Sequence, residues 1–283
     1  MKKITLFLAL LLLLTLTAGC AGSSAADPGS SAEPASPAAP VSADEPDSQA
    51  ALESAGGGLE GKTALIMGTE AGFAPYEYYD DSGAVTGVDP DIAKAIAEAM
   101  GLELQIEEMD FDAIIPEIQA GRIDFGAAGM TVTDERSQQV DFSIPYATSR
   151  QIIVVKEGNA EITGPDSLAG KNVGVQLGTV ADIVLTDEYS DTTVGRYKKY
   201  FEAFADLEAG RLDAIAMDVL PAQEFLSQNQ GLVILEQELM IDEYAIAVQK
   251  GNTELLDAIN AHLTAMISDG TIDQFTLDHT VSE

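Results

Sequence analysis

The chain has 283 residues, enough for one large domain or two of moderate size, and 46% of them are apolar, so a sizeable core can be buried. Its 47 acids against 14 bases leave a formal charge of −33, which argues against a nucleic-acid partner and against docking of protein surface on an anionic membrane. The single Cys, Cys20, excludes an internal disulfide and a cysteine zinc site, and two His near the C-terminus, His262 and His279, argue against a histidine metal cluster or a hydrolase with a His base.

In chain order, Lys2 and Lys3 precede an apolar run from Ile4 to Ala18, too short for a bilayer span of about 20 residues but of the length of a secretory signal. The segment Leu16-Thr17-Ala18-Gly19-Cys20 resembles the lipobox of bacterial lipoproteins, although Thr17 stands where Leu is commoner. That resemblance implies removal of residues 1–19, acylation of Cys20 and anchoring on the outer face of the cell membrane; an ordinary secretory signal is the plainer alternative. Residues 20–60 hold five of the eleven prolines, no base, and many Ala, Ser and Gly, the composition of an acidic tether. Gly56, Gly58 and Gly61 match a dinucleotide fingerprint, but no strand precedes them, so no nucleotide cofactor is expected.

From residue 61 strand and helix alternate. Ala64–Gly68 reads as a buried strand, and Asp89–Met100 as a helix with Asp89 as cap, Pro90 in the first turn and Gly101 at the stop. Leu102–Ile106 reads as a strand, Phe111 to Ile118 as a helix ending at Gly121, and Ile123–Ala128 as a third strand. This order implies α/β architecture with a mostly parallel sheet covered on both faces. Ala120-Gly121-Arg122-Ile123-Asp124 returns 89 positions later as Ala209-Gly210-Arg211-Leu212-Asp213, either a common helix–strand joint or a structural repeat. At the same offset Gly129 corresponds to Asp218, and both follow strand ends, where open α/β sheets bind ligands. Two facing sheets would set Gly129-Met130-Thr131 and Asp218 on opposite walls of one cleft.

On the first wall, Thr133 caps a short helix carrying Arg136, whose planar fork suits a carboxylate; pairing of Arg136 with Asp141 at the surface is the alternative. On the second, Val173–Gln176 is a strand and Gly178-Thr179 opens a helix reaching about Tyr189, a turn suited to an anion. Asp218 interrupts an apolar strand end, where it either faces a ligand ammonium or caps the helix near Pro221. The loop from Thr69 to Tyr78 is rich in aromatics, and Phe73 or Tyr76 would pack on a ligand or in the core.

Together Gly68-Thr69-Glu70, Pro75-Tyr76-Glu77-Tyr78, Gly87-Val88-Asp89, Gly129 to Arg136, Val140 to Tyr146, Val173 to Thr179, Gly210 to Asp218, Tyr244 to Val248 and Asp269 to Ile272 resemble the family-3 extracellular solute-binding proteins, receptors of polar amino acid ABC importers. The resemblance spans about residues 61–280 and implies a two-lobe periplasmic-binding-protein-like fold of type II. Each lobe would be a mixed, mostly parallel sheet flanked by helices, with lobe 1 at 61–149 and 244–283, lobe 2 at 150–243, and crossings near Ser149–Ile153 and Asp242–Ala247. It implies ligand contacts from Arg136, Thr131 and Thr179 to an α-carboxylate, from Asp218 and Gly129 to an α-ammonium, and from Glu70, Phe73, Phe111 and Gln176 to the side chain. Val88 for the usual Phe, Pro90 after Asp89, and Glu70 for the common Asp are departures.

The implied function is an extracytoplasmic, non-enzymatic, monomeric receptor that closes on a polar L-amino acid and delivers it to an ABC permease, with no cofactor and no metal. Glu70 and Asp218 against Arg136 leave one excess negative charge, which points to a cationic or cystine-like ligand. Cyclohexadienyl or arogenate dehydratases resemble the same family, so an enzyme is one alternative, and a sensory ligand-presenting protein is another.

Overall fold

The computed structural model describes residues 59–280; the signal segment, Cys20 and the tether as far as residue 58 lie outside the described residues. The chain runs β1 (Ala64–Thr69), β2 (Tyr78–Tyr79), β3 (Val85–Thr86), α1 (Val88–Ala99), β4 (Glu103–Glu108), α2 (Ile114–Gln119) and β5 (Phe125–Gly126). It continues through α3 (Asp134–Gln139), β6 (Val140–Phe142), β7 (Ala147–Lys156), β8 (Asn172–Gln176), α4 (Val180–Glu188), β9 (Thr193–Tyr197) and α5 (Tyr200–Glu208). Then come β10 (Ala214–Asp218), α6 (Val219–Gln228), β11 (Leu232–Ile234), β12 (Met240–Tyr244), β13 (Ala247–Gln249), α7 (Thr253–Asp269) and α8 (Thr271–His279). These build two lobes. The first sheet has the order β4-β1-β5-β13-β6, parallel except at β13, and the second β11-β7-β10-β8-β9, with β12 also on β7.

Helix α1 exists because Val88, Ile92, Ala93, Ile96 and Ala97 form one apolar stripe that packs on the first sheet. Gly87, not Asp89, occupies the N-cap position, and Asp89 is a buried member of the first turn, so the expected cap is corrected. In the second lobe, Ile152, Val154, Ile215 and Met217 enter one apolar cluster, whereas Ile153, Val155, Ala214 and Ala216 enter another. Alternation with both halves buried is the mark of a sheet covered on two faces.

The sequence echo is a true structural repeat. Gly121 and Gly210 each end a helix at positive φ, +68° and +73°, which residues with a Cβ rarely adopt. Arg122 then pairs with Glu117, and Arg211 with Asp206. The amide of Asp124 donates to Ile66 O at 2.8 Å, while its carboxylate accepts from Ile66 N at 2.9 Å. Asp213 brackets Asn172 in the same way, at 2.8 Å for each bond. Two residues on, a Cβ on Gly68 would stand 2.3 Å from Ile123 Cδ1, and one on Gly174 would stand 2.5 Å from Leu212 Cδ1. Because Ile123 and Asp124 are committed to this joint, only Phe125 and Gly126 of the expected third strand pair in the sheet.

The chain leaves the first sheet after Phe142 and joins the second at Ala147; it returns between Tyr244 and Ala247. The first passage precedes the expected Ser149–Ile153, since Ala147, Thr148 and Ser149 already pair with Tyr244, Glu243 and Asp242. The two connecting segments are bonded to each other, Ser143 N to Ile246 O and Tyr146 N to Tyr244 O, both at 2.9 Å.

Candidate functional site

All nine expected ligand residues line one cavity between the lobes. Glu70, Phe73, Phe111, Gly129, Thr131 and Arg136 come from the first lobe; Gln176, Thr179 and Asp218 come from the second. Glu77 also lines it and was not singled out from the sequence.

Thr133 caps α3 as expected, its hydroxyl accepting from Arg136 N at 3.2 Å. The Arg136 side chain turns inward and is buried. Nη1 donates to Thr131 O at 2.5 Å, Nη2 reaches across to Gly178 O at 2.8 Å, and the guanidinium carbon lies 5.3 Å from the Phe111 ring centre. Asp141 is bonded instead to Lys250 at 2.6 Å, so the surface-pair alternative for Arg136 is excluded. Burial pushes the Arg136 pKa down to about 10, against the pull of Asp242 and Asp218.

Asp218 ends β10 and stands at the N-cap position of α6 without making a side-chain cap bond. Its Oδ1 accepts from Ser149 Oγ at 2.6 Å and from the Tyr244 hydroxyl. Burial, then the charge of Asp242, raises its pKa above the ordinary aspartate value. Asp242 is raised by burial too, partly offset by its bonds with Thr131 and Gln151 and by the charge of Arg136. Thr179 caps α4, and its hydroxyl donates to Gln176 O at 2.8 Å.

Glu70, also on the cavity wall, is 2% exposed. Its Oε2 accepts from Gln176 Nε2 at 2.9 Å and its Oε1 from Lys199 Nζ, so both donors come from the opposite lobe. Phe73 stacks between Tyr76 and Tyr200, with 6.1 Å between ring centres on each side. With Asp242, Lys199 and its second partner Glu108 added, four carboxylates stand against two cations, so the negative excess persists and grows to two.

Behind the first wall, Asp89 Oδ2 accepts from Gly129 N and from the Tyr146 hydroxyl, each at 2.8 Å. Its Oδ1 and Glu77 Oε2 are both buried and otherwise unpartnered, and one proton between the two carboxyls satisfies both. Burial, then the charges of Asp89 and Glu70, raises Glu77 well above the ordinary range, so Glu77 carries that proton. Burial pushes Asp89 up to about 6, although bonds from Gly129, Tyr146 and Glu77 restrain it. Acids raised in this way bind protons more tightly folded than unfolded. Between the ordinary aspartate value, near 4, and about 6, the native state therefore holds more protons, and stability rises as pH falls. Urea unfolding should show a higher midpoint at about pH 5.5 than at about pH 7.5. Asp89→Asn should make that trend shallower, the remainder coming from Asp218, whose pKa burial also raises; a trend left unchanged by Asp89→Asn would overturn the shared proton.

A family profile described as bacterial extracellular solute-binding proteins, family 3, matches residues 65–279. The arginine-binding extracellular protein of Bacillus subtilis (strain 168) is 34% identical over 231 residues, covering 80% of this chain and 89% of that one. The L-cystine-binding protein of Escherichia coli (strain K12) is 33% identical over 210 residues, covering 74% and 79%. Among solved structures, an ancestral arginine-binding protein bound to arginine is 42% identical with a TM-score of 0.73, covering 77% of this chain and 98% of that one. An ancestral arginine-binding protein bound to glutamine matches equally, at 42% identity and a TM-score of 0.73.

Proposed function

The chain belongs to the family-3 bacterial extracellular solute-binding proteins, and we propose that it binds a cationic L-amino acid, arginine first, between its lobes and delivers it to an ABC permease. One observation carries this reading: Arg136 and Asp218, from facing lobes, border a single cavity that the buried carboxylate of Glu70 also lines. Arg136, with Thr131 and Thr179, takes the α-carboxylate; Asp218 and the Gly129 carbonyl take the α-ammonium; Glu70 and Gln176 take the side-chain cation. Such contacts come from both walls only when the lobes are together, so the ligand favours closure by its differential affinity. Taking a two-state equilibrium from 1:99 to 99:1 needs about 5.5 kcal/mol, which a few charge-assisted bonds supply. The relatives bind arginine or cystine by name, in keeping with the excess negative charge of the cleft.

Attachment through a lipidated Cys20 on the outer face of the membrane is part of the same proposal, resting on the N-terminal sequence. A dehydratase would need a proton donor at Glu70; both oxygens of Glu70 instead accept bonds from Gln176 and Lys199, the arrangement of an anchor. A thermal-shift screen of the amino acids, ornithine and cystine tests the reading. At a hundredfold excess over its dissociation constant, arginine should add about 2.7 kcal/mol, raising Tm by about 5–10 °C. Stabilisation by glutamate or aspartate in preference to arginine would overturn the cationic assignment.

A further inference from the structure

Glu70 is the acid that the proposed ligand cation approaches, yet it already holds a cation of the protein's own. Lys199 stands at the N-cap of α5, in the second lobe, and its ammonium crosses to the first lobe to bond Glu70 Oε1. The same ammonium is bonded to Glu108 Oε1 at 2.6 Å, at the end of β4. Gln176 Nε2 holds the other oxygen of Glu70 at 2.9 Å and is itself tied to Lys198 O at 2.8 Å. Burial pulls the Lys199 pKa down, but its bonds to Glu108 and Glu70 more than compensate, so its charge is secure. A guanidinium binds a carboxylate best when its fork meets both oxygens. At Glu70, that fork must take an oxygen from Lys199 or accept a second cation beside its own.

Resting on the amino-acid reading of the cleft, we infer that Lys199 is a specificity-determining residue, an internal cation that competes with the ligand's side chain for Glu70. Glu108 sets the strength of that competition, because it draws the same ammonium away from Glu70. Lys199 thereby lowers affinity for arginine while leaving a neutral side chain such as that of glutamine, which needs no counter-charge, a balanced pocket. The arrangement compresses the difference between cationic and neutral ligands.

Calorimetric titration of arginine and glutamine into the wild type, Lys199→Met, Lys199→Gln, Glu108→Gln and Lys171→Met tests this. Both Lys199 variants should raise the arginine-to-glutamine affinity ratio by about tenfold, the worth of one charge-assisted bond. Using two variants keeps a folding defect in either one from deciding the result. Glu108→Gln, which leaves Lys199 to Glu70 alone, should lower the ratio. Lys171→Met removes an equal charge from the same lobe, one paired with the exposed Glu161 and absent from the cavity lining, and should leave the ratio unchanged. An unchanged or reduced ratio in the Lys199 variants, or an equal rise with Lys171→Met, overturns the role of Lys199 while wild-type binding leaves the functional reading intact. A wild type that binds no amino acid overturns that reading instead.

Discussion

Arg136→Ala should weaken amino-acid binding by about 10²–10⁴-fold, since it deletes two charge-assisted bonds worth about 1.5–3 kcal/mol each. The size of the effect follows from burial: Arg136 is 5% exposed, its ring neighbour Phe111 excludes water from one face, and among the described residues no other cation lines the cavity. Arg136→Lys keeps the charge but loses the planar fork, and should recover only part of the loss. Because Arg136 also ties Thr131 O to Gly178 O across the cleft, its removal lowers the tendency to close as well as the contact itself. Calorimetry on the variants, with thermal unfolding of the same samples, separates the two. A folded Arg136→Ala protein with undiminished affinity would falsify the carboxylate assignment.

Asp218→Asn should cost about 2–5 kcal/mol of binding, because the α-ammonium would then enter a buried site without its counter-charge. The pH dependence supplies a second measure. Burial and Asp242 raise the Asp218 pKa, so protonation removes the anchor at a higher pH than for an ordinary aspartate. Wild-type affinity should therefore fall as the pH is lowered from about 8 to about 5, and Asp218→Asn should be weak and flat across that range. Asp242→Asn relieves the mutual repulsion and should shift the decline to lower pH. A wild-type affinity that rises on acidification would count against Asp218 as the anchor.

Much of this was legible in one dimension because the site is built at strand ends and helix starts, where short-range signals are strong. Thr133 before Asp134-Glu135-Arg136, Gly178-Thr179 before α4, and Asp218 closing an apolar strand are each readable from neighbouring residues. The repeated Ala-Gly-Arg-(Ile/Leu)-Asp joint was readable too, since its φ and its ion pairs are local. What escaped depends on contacts between distant segments. Lys199 reaches Glu70 from 129 positions away, and neither residue carries a pattern that pairs them. Glu77 and Asp89 share a proton only because the loop after β1 folds back on α1, through Asp89 N to Tyr76 O at 3.0 Å. Asp89 looked like a cap for the same reason: its position fits one, and its true partners, Gly129 and Tyr146, lie 40 and 57 residues on.

The paired connection between the lobes has a mechanical consequence. Residues 143–146 and 244–246 are stitched edge to edge and continue into the β7–β12 ladder, so they form a two-ply strip instead of two separate threads. Such a strip resists shear in its own plane, where hydrogen bonds would have to stretch, and yields across its thin dimension. The proposed closure would thus be steered along one arc, like covers on a bookbinding, and every approach would bring the same two rows of side chains face to face.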